Sequence, residues 1–134
     1  MASKLKRART SGFTLLEMMI VIMIVMVLMS VALPIYNQSI VRSREAVLRQ
    51  NLFTLRSVIS QYTLDKQKAP QSLDDLVSAG YLKVIPKDPT TGEGNWEVVQ
   101  EDVMMAVDQQ DPGIDDVHSA SSAIASDGTT YSSW

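Results

Sequence analysis

The sequence predicts an α+β protein in which a long amino-terminal helix, apolar and then amphipathic, packs against a small antiparallel sheet in a globular head. Three observations carry this. Residues 18–36 are almost wholly apolar, residues 41–62 repeat apolar side chains at helical spacing, and β-branched segments follow among turn-forming residues.

The chain opens with Lys4, Lys6, Arg7 and Arg9, and no acid occurs before Glu17. By the positive-inside rule that end faces the cytoplasm. Residues 18–36 read MMIVIMIVMVLMSVALPIY, interrupted only by Ser30 and Pro34. At about 1.5 Å per residue, roughly 20 such residues cross a hydrocarbon core of about 30 Å. A membrane helix over 13–36 follows, with the rest of the chain on the far side. Pro34 removes one helical hydrogen bond, so a kink or a locally melted stretch is expected over residues 31–34. It either marks the membrane exit or acts as a packing hinge.

Glu17 stands out, because an unpaired carboxylate at the bilayer centre costs on the order of 3 kcal/mol. Either it snorkels to the headgroups or it has a partner inside the membrane.

Beyond the membrane, Val41, Leu48, Leu52, Leu55, Ile59 and Tyr62 form one stripe of an amphipathic helix over 37–66. Arg42, Arg44, Glu45, Arg49, Gln50 and Arg56 mostly take the other faces. Lys68-Ala-Pro70 ends the helix, and the head occupies 67–134. Within it, Ser72 reads as an N-cap with Asp74 and Asp75 in the first turn of a short helix over 73–79, stopped by Gly80. Residues 81–89 run Tyr-Leu-Lys-Val-Ile-Pro-Lys-Asp-Pro into a turn near Gly92 and Gly94. Residues 96–100 and 103–108 suit the two strands of a hairpin. Residues 109–134, rich in Ser, Asp, Ala, Gly and Thr, read as loop, with Ile114, Val117, Tyr131 and Trp134 as anchors.

The segment Ser-Gly-Phe-Thr-Leu-Leu-Glu at residues 11–17, between the basic start and the apolar run, resembles the class III signal of type IV pilins and pseudopilins. The resemblance implies a leader over 1–12, cut by a prepilin peptidase after Gly12 on the cytoplasmic face, and a methyl group added to the new amino terminus at Phe13. Glu17 then becomes the fifth mature residue. In that family it pairs with the positive amino terminus of a neighbour in a filament, so the assembly residues are Phe13, Glu17 and Pro34.

A second block, with Pro70, Leu73, Leu76, Gly80-Tyr-Leu and Pro86-Lys-Asp-Pro, resembles the G-type pseudopilins of type II secretion. This implies a pilin-like fold and a homopolymer in a helical pseudopilus that drives protein export. It also implies minor pseudopilins and an inner-membrane assembly platform as partners. The corresponding topology is a single pass through the bacterial inner membrane, with a cytoplasmic amino terminus and a periplasmic head. The alternatives are a major or minor type IV pilin in a surface fibre for adhesion, twitching or DNA uptake, and a signal-anchored protein that never polymerises.

The same resemblance implies a calcium ion that orders the carboxy-terminal loop. Asp108, Asp111, Asp115, Asp116 and Asp127 are hard oxygen donors there, with Asp115, Asp116 and Asp127 as the preferred ligands. Their spacing is not that of an EF-hand, and a solvated acidic loop is the alternative. The chain has no Cys, so the disulfide with which adhesive pilins close this region is absent, which favours a pseudopilin.

Composition narrows the remaining classes. Removing the leader takes 4 of the 12 Lys and Arg and leaves 8 against 15 Asp and Glu, a net charge of −7. That disfavours nucleic-acid binding through a basic surface, a DNA-uptake fibre excepted. The single histidine, His118, reads as a surface or loop residue. No Gly-x-Ser-x-Gly or phosphate-binding loop accompanies it, so no catalytic residues are assigned and the chain is not read as an enzyme.

Overall fold

The computed structural model describes residues 12–101 and 112–134. The strand expected over 103–108, together with Asp108, Asp111 and most of the leader, lies outside the described residues. The chain divides into two compact units, one ending at Gln38 and one running from Ser39 to Trp134.

The first unit is the amino-terminal part of α1 (Leu15–Lys66). Its start is set by Thr14, whose side-chain oxygen accepts the backbone N–H of Glu17 at 3.2 Å while its carbonyl accepts that of Met18. Thr14 is therefore the N-cap, and the acid three residues on sits where the helix dipole favours negative charge. The helix is unbroken over residues 31–34, so no melted stretch forms at Pro34. Proline removes one rung of the ladder. Just before it the Ser30 hydroxyl donates to the Val27 carbonyl at 2.7 Å, and the rungs on either side hold the helical backbone.

In the second unit the remainder of α1 supplies one wall of the core. Leu48, Leu52, Leu55, Ile59 and Tyr62 are buried at alternating spacings of three and four, as the stripe requires. Val41 departs from the expectation and is exposed, whereas Glu45 is buried. The helix ends with Gln67 in a left-handed conformation at φ 55°, and its side-chain amide donates to the Leu64 carbonyl. The stop thus comes just before Lys68.

Helix α2 (Leu73–Ser78) covers that wall with Leu76. The Asp75 carboxylate reaches back to the N–H groups of Gln71 and Ser72 and holds the first turn. Tyr81 packs edge-on to Tyr62 and donates its hydroxyl proton to Asp65, so the Gly-Tyr-Leu segment closes over the end of α1. Asp88 is fully buried, and its carboxylate accepts the Thr90 N–H and the hydroxyls of Thr90 and Ser119. Trp96 donates its indole N–H to the Pro86 carbonyl. The Pro86-Lys-Asp-Pro segment is thereby stapled to both strands.

Strands β1 (Trp96–Glu101) and β2 (Gly113–Ser119) form a two-stranded antiparallel sheet. The second strand therefore includes part of what reads as loop in the sequence. The reason is a bulge: Val99 pairs with Asp116 and Gln100 with Ile114, which leaves Asp115 without a partner residue. The extra residue moves Ile114 and Val117, three apart, onto the same buried face and hides the alternation that identifies a strand. A single 3-10 turn, Tyr131–Ser133, closes the chain with Tyr131 in the core.

Candidate functional site

Two regions carry the chemistry, and each belongs to one unit. The first is the start of α1. Phe13, Glu17 and Pro34 are exposed, as is every side chain from Leu15 to Ser39. Among the described residues α1 is the one helix long and apolar enough to cross a membrane, and none of its most apolar window is buried within the protein. In water so long an exposed apolar surface is unfavourable, since each buried Leu, Ile, Val or Met is worth about 1.5–3 kcal/mol. The segment is built to be covered by lipid or by other helices.

Gly12 precedes Phe13, and a methyl group added at Gly12 would meet no atom of the described chain within 4 Å. The described residues make no demand for glycine there. Thr14, by contrast, was not singled out by sequence reasoning, although Thr-x-x-Glu ahead of an apolar run is a helix-start signal.

The second region joins α1 to the carboxy-terminal segment of the head. Glu45 accepts the N–H and hydroxyl of Ser126 at 2.6 and 2.5 Å and the Tyr131 hydroxyl at 3.0 Å. Four residues along, Arg49 sits over the Trp134 ring at 4.2 Å and 3.4 Å from Asp127. Arg56 donates from Nε to Asp116 at 2.6 Å, and from Nη2 to the Val117 carbonyl at 2.9 Å and to the main-chain oxygen of Trp134. Trp134 in turn donates its indole N–H to Thr129 and meets Tyr131 edge-on. Sequence reasoning assigned Glu45, Arg49 and Arg56 to solvated faces. The signal for Glu45 was present, since it fills the gap between Val41 and Leu48 in the three-four spacing.

These contacts set the titration behaviour. The hydroxyl and backbone N–H of Ser126, aided by the Tyr131 hydroxyl, hold Glu45 below its ordinary value of 4.5, against the opposing effect of burial. Burial, followed by the bond to Glu45, pushes the Tyr131 hydroxyl above its ordinary 10.0. A carboxylate with a depressed folded pKa stabilises above its unfolded value, and that stability is lost as pH falls through the folded one. A hydroxyl with a raised pKa stabilises below 10 and loses that contribution as pH rises further. The thermal midpoint of the head is therefore expected to be flat between these limits. It should fall as pH drops below about 4.5, and Glu45→Gln should flatten the acid limb; calorimetry across pH checks both.

The candidate calcium ligands are not gathered together. Asp115 is exposed at the bulge, while Asp116 and Asp127 are engaged separately by Arg56 and Arg49. Among the described residues no group of three or more His, Cys, Asp or Glu side chains is placed to share a metal ion. His118 lies in β2 rather than in a loop, half-buried, with Nε2 at 3.5 Å from Asp116.

Comparison with known proteins bears on the first region. Residues 7–33 match the family described as the prokaryotic N-terminal methylation motif. The type II secretion system core protein G of Aeromonas hydrophila is 33% identical over 103 residues, covering 63% of this chain and 71% of that protein. Core protein G of Klebsiella michiganensis is 27% identical over 134 residues, covering 84% and 93% respectively. The competence protein ComGC of Halalkalibacterium halodurans is 34% identical over 73 residues, covering 54% of this chain and 72% of that protein. No solved structure matches the chain at a significant level.

Proposed function

This chain belongs to the family of the type II secretion system core protein G, and from that premise we propose that it is the structural subunit of a pseudopilus that drives protein export. The observation that carries the reading is the exposed apolar helix that follows Gly12 and Phe13 and holds Glu17 in its first turn, within the matched methylation motif. The precursor is held in the inner membrane by α1, with its amino terminus in the cytoplasm and its head in the periplasm. A prepilin peptidase cuts between Gly12 and Phe13 and methylates Phe13. The open space around Gly12 supports this, because a glycine that the fold does not require is one that an outside partner selects.

Cleavage places a cationic amino terminus one helical turn before Glu17. In a filament the apolar helices bury one another, and the Glu17 carboxylate of one subunit meets the ammonium of another. Such a pair offsets its own desolvation only with good geometry, so it fixes register more than it adds stability. The minor pseudopilins and an inner-membrane platform complete the assembly, which does mechanical rather than catalytic work.

The experiment is deletion of the gene in its native host. Loss of exoprotein secretion, with fibres seen only on overproduction, is the expected result. The similarity to the competence protein favours a second reading, a pilin-like fibre in DNA uptake. Intact secretion with lost transformation would establish that reading and overturn the first.

A further inference from the structure

The resemblance to G-type pseudopilins implies a calcium ion that orders the carboxy-terminal segment. Calcium requires six to eight oxygens around one centre at about 2.3–2.6 Å. The described residues do not fit that demand. Asp116 Oδ1 already accepts the Arg56 Nε–H and the N–H of Val117, and Asp116 Oδ2 faces His118. Asp127 Oδ1 accepts the N–H and hydroxyl of Thr129, and its Oδ2 faces Arg49. A divalent cation at either carboxylate would stand beside a guanidinium and be repelled. Asp115, the unpaired residue of the bulge, is exposed and forms no shared cluster with them among the described residues.

We infer that this protein orders its carboxy-terminal segment without calcium, through three side chains of α1: Glu45, Arg49 and Arg56. They lie along one side of α1, with Arg49 about one turn and Arg56 about three turns beyond Glu45, and each grips a different part of the chain. Arg56 holds β2 at Asp116 and Val117 and the chain again at Trp134, Arg49 holds Asp127 and the Trp134 ring, and Glu45 holds Ser126 and Tyr131.

Arg56 is the central positioning residue. Its planar fork satisfies two elements at once, which an ammonium cannot reproduce. Glu45 is 7% exposed and fully partnered, so it costs little to bury and specifies where residues 126–131 must lie. Together the three supply what a metal supplies elsewhere, a charged centre around which a polar loop folds. They need no divalent ion in the surroundings.

The test is thermal unfolding of the purified full chain in detergent, followed by near-ultraviolet circular dichroism of its tryptophans. It is run in EDTA, in excess calcium and in magnesium at equal ionic strength. The inference expects the same midpoint in all three. It also expects Arg56→Lys to lower the midpoint by about 5 °C or more in each. A midpoint raised by about 5 °C or more in calcium over magnesium would overturn it. So would an Arg56→Lys protein as stable as the natural one. The comparison of ions uses the unaltered chain, so the inference stays testable even if the variant does not fold.

Discussion

Glu17→Ala is expected to insert into the membrane and to be cut like the natural chain, yet to yield at least 100-fold less filament. Insertion becomes easier when a carboxylate is removed from an apolar helix. The start of the helix survives, because Thr14 bonds the backbone N–H of residue 17 rather than its side chain. Cleavage depends on the bond after Gly12, which is untouched. In the proposed filament, what is lost is the partner of the Phe13 amino terminus in the neighbouring subunit. Leaving one member of a buried pair alone costs about 3–5 kcal/mol, and each 1.4 kcal/mol is about tenfold in an equilibrium. Sheared filaments weighed against processed membrane-bound subunit give the ratio. Natural filament yield from Glu17→Ala would remove this account of the buried charge.

The second large effect is in the head. Leu55 is fully buried at the middle of the α1 stripe. Leu55→Ala should cost about 2–5 kcal/mol through lost transfer energy and the cavity left behind. Small domains hold only about 5–15 kcal/mol, so the midpoint should fall by roughly 10 °C or more. Phe53, two residues earlier on the same helix, is 69% exposed, and Phe53→Ala should stay within about 0.5 kcal/mol. Thermal unfolding of the two variants side by side gives the contrast. Equal losses would mean that the stripe does not face the core as described.

Much of this was legible in the sequence, for physical reasons that also explain the misses. An apolar run of membrane length and a three-four stripe are strong signals, because burial must repeat with the helix. Residue type misled where it competed with period: Glu45 continues the stripe, but its charge suggests solvent, and only the placement of Ser126 and Tyr131 shows how it is satisfied. Arg49 and Arg56 were hidden in the same way, since their partners lie far along the chain. The second strand was missed because the bulge at Asp115 breaks the alternation by which strands are recognised, and Ser and Asp composition then argues for loop. Pro34 suggested a kink or a melted stretch, whereas one missing rung leaves this helix unbroken. The cleavage segment was the reverse case. Among the described residues nothing packs on Gly12 and Phe13 is exposed, so a short motif read from sequence carries what the described fold does not.

The measurement closest to the central claim is intact and peptide mass spectrometry of the protein from its native host, with Gly12→Val beside it. A mature chain that begins at N-methylated Phe13, and a Gly12→Val chain that keeps its leader, are the predicted results. A natural chain that retains its leader, or one cut beyond Ala32, would contradict the assignment of this protein as a processed filament subunit.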